Sequence, residues 1–375
     1  MKIYCDRWKL KLNASKCKVM IFSRGKVRIY PQFVIGEEIV EVVSDFLYLG
    51  MRLNYNNRMK VAQKDIYDRA SRAMFSLLKK CKKKNLPVDV TLDMFDKIIV
   101  PILTYGCEVW GLENIDIVNR LQLKFLKIIL RLRRSTPSHM LYGETGVYPI
   151  GITIKNRIMN YWLKLVSPEN CNKLSSIVYK FLYQLYRQGE HESLYLKYVR
   201  NTLIDIGLPY LWDLHDFTHV NTLQFKNFVK RQTQDLFLLE WHNAITESSM
   251  YDNYRIIKQT IGQERCLSIL PYNCIISLIR FRTTNNSLPV NVHRYYNIRR
   301  DERICDKCLS NDTADEFHYL FVCPYFERVR EKCIPCIYLT RPNYHKYNSL
   351  LNSHDKSTLL KLKHMIDVIN KSLSQ

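Results

Sequence analysis

The chain has 375 residues and carries 57 Lys and Arg against 35 Asp and Glu, a formal net charge of +22. Apolar residues make up 47% of it, enough to bury a sizeable core, which excludes wholesale disorder. With 11 Gly and 12 Pro it is neither collagen-like nor a Gly/Ser linker, and its positive surplus makes nucleic acid the first partner class to consider and an acidic membrane surface the second.

The most apolar stretch, Ile98 to Trp110, is short and contains Pro101 and Glu108, whereas a membrane span takes about 20 apolar residues. No membrane partner is expected. The first residues lack an apolar h-region, so no signal peptide is expected. The chain therefore reads as intracellular, nuclear or cytoplasmic. Its 12 cysteines then read as reduced thiols with a metal site, not as a disulfide framework.

Residues 1–55 read as a small α+β piece. Val19 to Phe22 is a short apolar run. Phe33–Ile35 and Ile39–Val42 flank a Gly36-Glu37-Glu38 turn and predict a hairpin, and Phe46–Gly50 predicts a further strand closed by glycine. From about Asn57 the period changes. Ala62, Ile66, Ala70, Ala73 and Leu77 recur at helical spacing. The lysines at 79, 80, 82, 83 and 84, followed by Pro87, end that helix. A second helix is predicted from about Thr91, kinked or ended near Pro101, and a third from about Ile117 to Arg134. Gly143 to Pro149 predicts a loop, and Ile152 to about Val166 another helix. Residues 167–280 look helical and carry no recognisable motif. Phe281 to Tyr338 is rich in loops, arginine and cysteine, and Leu350 to Leu373 is again helical.

Two features carry chemistry. Cys305-x2-Cys308-x9-His318-x4-Cys323 supplies three thiolates and one imidazole, a closed tetrahedral set for a structural Zn²⁺. Cys333-x2-Cys336 is a competing source of ligands. The second feature is cationic. Arg120, Lys124, Lys127, Arg131 and Arg134 step by four, three, four and three along the third helix, beside an apolar wall of Leu121, Phe125, Ile129 and Leu132. Arg280, Arg282, Arg294, Arg299, Arg300 and Arg303 lead into the first cysteine and interleave with Tyr295 and Tyr296. Guanidinium forks suit phosphates and rings suit bases, so both sets are candidate RNA or DNA contacts; the alternative is a solvated basic face.

Several segments then resemble one family in collinear order. Trp8 to Lys18 resembles the stretch just downstream of the catalytic carboxylates in reverse transcriptases of non-LTR (LINE-like) retrotransposons. Phe46–Gly50 resembles their next strand, Tyr105–Trp110 a thumb signature, and Glu144–Pro149 the loop that follows. Arg299–Cys308 with Asp315–Pro324 is similar to their C-terminal Cys-Cys-His-Cys knuckle. The resemblance implies the end of a palm, a thumb, a connector and a knuckle. Lys16 would match a lysine near the incoming nucleotide's phosphates. The sequence departs from the family in having no Asp-Asp dipeptide, so the paired carboxylates that hold two metal ions are absent. No polymerase activity is expected unless another chain, such as the remainder of a retroelement polyprotein, supplies them.

The expected fold is mainly α. Residues 1–55 form a palm remnant, 56–166 a thumb-like helical domain, 167–280 a helical connector, 281–340 an Arg-rich zinc-knuckle module and 341–375 a helical tail. The expected function is nucleic-acid binding without catalysis. The alternative is a helical adaptor or regulatory protein with a structural zinc site.

Overall fold

The computed structural model describes residues 2–22, 31–56, 59–215 and 220–374. Helix accounts for 65% of the chain, and strands are confined to its N-terminal part. After a short helix α1 (Lys2–Arg7), β1 (Phe33–Ile35) pairs antiparallel with β2 (Glu38–Val40), Phe33 opposite Val40. This is the predicted hairpin, and Gly36 turns it at φ 65°. The predicted strand at Phe46 is β3 (Asp45–Tyr48). It is also half of a second hairpin, pairing with β4 (Met51–Asn54). Leu49 and Gly50 both adopt positive φ there, the backbone of a tight two-residue hairpin turn. The strand β4 had no sequence signal because leucine seldom occupies such a position.

Helix α2 (Lys60–Lys83) buries Ala62, Ile66, Ala70 and Leu77, as its periodicity predicts, with Met74 buried in place of the half-buried Ala73; its expected start at Asn57 lies outside the described residues. Helix α3 (Val88–Leu103) begins directly after Pro87 and runs through Pro101, whose missing N–H leaves the Lys97 carbonyl without its helical donor in the last turn. Then follow α4 (Cys107–Trp110), α5 (Asp116–Ile129), α6 (Ser138–Thr145) and α7 (Ile150–Val166). Two expectations need correction here. Helix α5 stops at Ile129, not at Arg134. Arg131 turns to φ 49°, and the Leu132 and Arg131 N–H groups donate to the carbonyls of Lys127 and Ile128, a Schellman ending on a non-glycine residue. Gly143 to Thr145 are also helical, not loop, and Gly146 ends α6 at φ 69°. A side chain at Gly143 would meet Trp241 and the Tyr254 hydroxyl, so this glycine serves close packing.

Then come α8 (Leu174–Arg187), α9 (Leu194–Asp205), α10 (Pro209–Leu214), α11 (Thr222–Glu247), α12 (Asp252–Ile257), α13 (Cys266–Ile269) and α14 (Tyr272–Arg282). The C-terminal part adds α15 (Pro289–Val292), α16 (Glu327–Cys333), α17 (Cys336–Leu339), α18 (Tyr344–Leu351) and α19 (Lys356–Leu373).

The principal core runs from Ile66 to Ile369. It joins side chains of α2–α7, of α11–α14, of the Cys/His module and of α18 and α19. A second core gathers Trp162 of α7, Val199 and Leu203 of α9, Trp212 of α10 and Val229 of α11. Among the described residues up to 56, the fully buried side chains enter neither core, though the half-buried Met51 packs against the principal one. Val34, Ile39 and Leu47 are exposed instead on two small sheets of two strands each, as are Leu49 in a hairpin turn and Trp8 after α1. Among the described residues, no helix is long and apolar enough to cross a membrane.

Candidate metal centre and cationic surface

The metal centre is assembled from a tight loop and a wide helical turn. Ile304 bridges Thr313, and the Cys305 N–H donates to the Asp312 carbonyl at 3.0 Å, which folds residues 305–312 into one loop. That loop presents Cys305 and Cys308. The Asp315 carboxylate then accepts the His318 N–H at 2.9 Å and opens the next turn. Residues His318–Val322 form a π-turn, closed by the Cys323 N–H donating to the His318 carbonyl at 2.8 Å. The i→i+5 closure carries the chain once round between His318 and Cys323, which is how a four-residue gap delivers two ligands to one centre.

The four donor atoms lie within 4.8 Å of one another. Cys305 Sγ is 3.9 Å from Cys323 Sγ, and Cys308 Sγ is 3.4 Å from His318 Nε2. A tetrahedral ion with bonds of about 2.3 Å to sulfur and about 2.0–2.1 Å to nitrogen spaces such atoms by about 3.8 and about 3.5 Å. The residues therefore fit a four-coordinate ion.

The surroundings fit too. His318 Nδ1 is buried without a hydrogen bond and lies 3.5 Å from Asp312 Oδ2, so a proton on Nδ1 leaves Nε2 as the ligand atom. Burial keeps the His318 imidazole neutral by lowering its pKa. The Cys305 thiol donates to the Tyr319 hydroxyl oxygen at 3.6 Å. The buried Arg330 guanidinium donates from Nε to the Leu320 carbonyl at 2.8 Å and from Nη2 to the Cys323 carbonyl at 2.5 Å. A fixed cation thus sits beside Cys323. Burial, reinforced by Cys305 and Cys308, pushes the metal-free Cys323 thiol up to about 12, a proton that a divalent ion displaces. At Cys308 burial acts in the same upward sense, but hydrogen bonds from Ser310 outweigh it and hold the thiol below its usual value. Cys333 and Cys336 take no part: Cys333 packs in the principal core and Cys336 is exposed.

The predicted cations fall into three groups. Arg120 and Lys124 are exposed on α5, and Arg131 and Arg134 are exposed beyond its end; Lys127 is half-buried. The apolar wall behind them is buried at Leu121, Phe125 and Ile129. Lys124 stands over the Phe75 ring, and Lys127 Nζ donates to the Arg134 carbonyl at 2.6 Å. Among the described residues none of these five is in an ion pair.

The second group comprises Arg280, Arg294 and Arg299, all exposed. Arg280 Nε and Nη2 donate to the Arg131 carbonyl at 3.0 and 2.8 Å, and the Arg131 guanidinium lies 5.0 Å over the Tyr272 ring. Arg299 lies 3.3 Å from Asp301.

The third group is engaged by other groups of the chain, although Arg300 stays exposed. Arg282 is 1% exposed and pairs with Glu144, so it is not placed to reach a polyanion; its place on the inward face of α14 decides this. Arg303 donates to the Ile298 and Val290 carbonyls and braces the loop ahead of Cys305. Arg300 ties that loop to Asp252 at 2.9 Å and to Asp315 at 3.6 Å.

Sequence reasoning missed the partner of Arg282. Glu144 sits in a segment noted for its glycines, and no local signal links it to position 282. The chain matches no family model, no curated protein and no solved structure.

Proposed function

We propose that the chain binds RNA or DNA as a non-catalytic part of a protein similar to non-LTR retrotransposon reverse transcriptases, with one structural Zn²⁺ in the Cys305, Cys308, His318 and Cys323 set. Three thiolates and one imidazole are a ligand set that zinc favours, and four protein ligands leave no open position for chemistry. The observation that carries the nucleic-acid reading is the contact between Arg280 and Arg131. Two cationic segments 149 residues apart in sequence are fastened side by side on one exposed surface. Like charges repel, and a polyanion is the partner that turns their adjacency into a gain.

The resemblance supplies the family, and the exposed apolar residues on the two small sheets support residues 1–55 as a piece of a larger folded unit. Without an Asp-Asp pair the chain has no expected polymerase chemistry of its own.

The test is a titration of the zinc-loaded chain into labelled single-stranded RNA and duplex DNA at several salt concentrations. Binding that weakens steeply and log-linearly with salt is expected. Absent or salt-independent binding overturns the reading. Template-dependent primer extension by the pure chain with Mg²⁺ would overturn its non-catalytic part.

A further inference from the structure

Helix α8 has a second apolar face. Its Tyr179 side chain enters the second core and Leu182 packs against that core, yet Leu174, Ile177, Val178 and Phe181 stay exposed and with Leu182 recur at i, i+3, i+4, i+7 and i+8, an apolar stripe of which Leu174, Val178 and Leu182 line one wall of a groove. Leu174 is 75% exposed and Phe181 58%. Opposite this stripe, α4 and the residues after it present Val109 and Leu112, with Glu108 and Glu113 beside them. Between the two walls lies a groove of about 660 Å³, floored by Trp110, Tyr161, Leu165 and Tyr195. The Tyr195 hydroxyl is buried in this floor with no hydrogen-bond partner.

We propose that this groove docks a basic amphipathic helix of a partner protein. The stripe has the spacing by which helices pack on helices. Its apolar lining and its carboxylates fit neither a phosphate backbone nor an anionic lipid surface. The carboxylates decide the sign. The chain as a whole carries +22, but the titratable groups lining the groove are Glu108, Glu113 and three neutral tyrosines. Arg157 lies 3.8 Å from Glu108, while Glu113 is exposed and in no ion pair among the described residues. Lys173, just before α8, and Lys180 of α8 do not line the groove. A cationic helix is repelled by most of this molecule and attracted here, so the pairing is selective.

That repulsion also makes a cationic probe a stringent one. The experiment measures fluorescence anisotropy of a labelled Leu–Lys peptide of about 15 residues, near the length at which an isolated helix is marginal. It is titrated with the full zinc-loaded chain. Saturable binding is expected, weakened about tenfold by Glu108→Gln with Glu113→Gln and about tenfold by Val178→Asp. A Leu–Glu peptide of the same pattern should not bind. Circular dichroism checks the fold; if Val178→Asp unfolds the chain, Val178→Ser at the same exposed site replaces it. Unchanged peptide affinity in the glutamate and Val178 variants overturns the proposal. So does equal binding of the acidic peptide. A dimer of the chain that Val178→Asp dissociates would assign the groove to a second copy and overturn it as well.

Discussion

The guanidinium of Arg282 meets the carboxylate of Glu144 at two points, Nε to Oε2 at 2.7 Å and Nη2 to Oε1 at 3.2 Å, and both side chains are buried. The contact joins α14 to the end of α6 across 138 residues of sequence. Arg282 also reaches Glu264 at 3.2 Å, the Leu351 carbonyl at 3.1 Å and Asn352 at 3.0 Å, and Lys258 closes on Glu264 from the other side. Burial pushes the Glu144 carboxyl up, and Arg282 opposes that shift. Two acids and two bases form a neutral cluster that needs all of its members.

Removing Arg282 should therefore be among the most damaging single changes. Arg282→Ala strands a buried carboxylate beside a second one, and a broken buried pair costs about 3–5 kcal/mol. Urea denaturation followed by circular dichroism reads the loss. Glu144→Ala should cost a similar amount, and the double variant less than the sum of the two, because each single change removes the same interaction. Additive losses would show that the pair is not coupled.

One Zn²⁺ per chain should be found by elemental analysis. Cys308→Ser and His318→Ala should lose it, and Cys336→Ser should keep it, since Cys336 is exposed and apart from the ligands. Chelation should do more than loosen the local loop. Cys305, Tyr319, Leu320 and Cys323 are themselves part of the principal core, so metal removal should lower the melting temperature of the whole helical body. A chelated chain with an unchanged Tm would contradict this.

The cationic surface predicts a specific salt response. Arg120, Lys124 and Arg134 are exposed and their side chains make no hydrogen bond that holds the fold among the described residues, so all three can be changed to Gln. If each neutralises one phosphate, the log–log slope of binding should become shallower by up to about 2.7 on duplex DNA or about 2.1 on single strands. The control is Gln at Lys79, Lys80 and Lys83, which removes the same charge from the end of α2. Equal effects would mean that net charge alone governs binding. Lys127 and Arg280 are left untouched because their side chains hold the backbone of Arg134 and Arg131.

The second core should be acid-sensitive. His215 stacks on Tyr183 with ring centroids 3.9 Å apart and meets the Tyr179 hydroxyl at 2.9 Å. Burial, then the neighbouring Arg187 and Lys180, lowers its pKa from 6.5 to about 4. The unfolded chain takes up a proton near pH 6.5 that the folded one refuses until about pH 4. The contribution of His215 to stability is thus complete above pH 6.5 and declines through that window as the pH falls. Trp212, 6.5 Å from the His215 ring, reports it by fluorescence. His215→Asn, which tolerates the positive φ at this position, should flatten the decline between pH 6.5 and 4. An unchanged profile would remove His215 as the cause.

Much of this molecule is decided locally and was legible in the sequence. The period of Ala62, Ile66, Ala70 and Leu77 defines α2 and its buried face, because a 3.6-residue repeat can bury only one side. The spacing of Cys305, Cys308, His318 and Cys323 defines the metal group, because a tight loop and one turn suffice to gather four ligands. What stayed hidden depends on partners distant in the chain or on backbone that composition does not mark. The cationic helix ends early because Arg131, not a glycine, takes the left-handed turn. The Gly143 segment is helical because Tyr254 and Trp241 close over it. Arg282, alike in sequence to Arg280 two residues before it, is turned inward, since residues two apart on a helix lie about 200° apart and only one of them can face Glu144. A sequence states the charge of a side chain, but whether that charge meets solvent or a buried carboxylate is settled only when the helices pack.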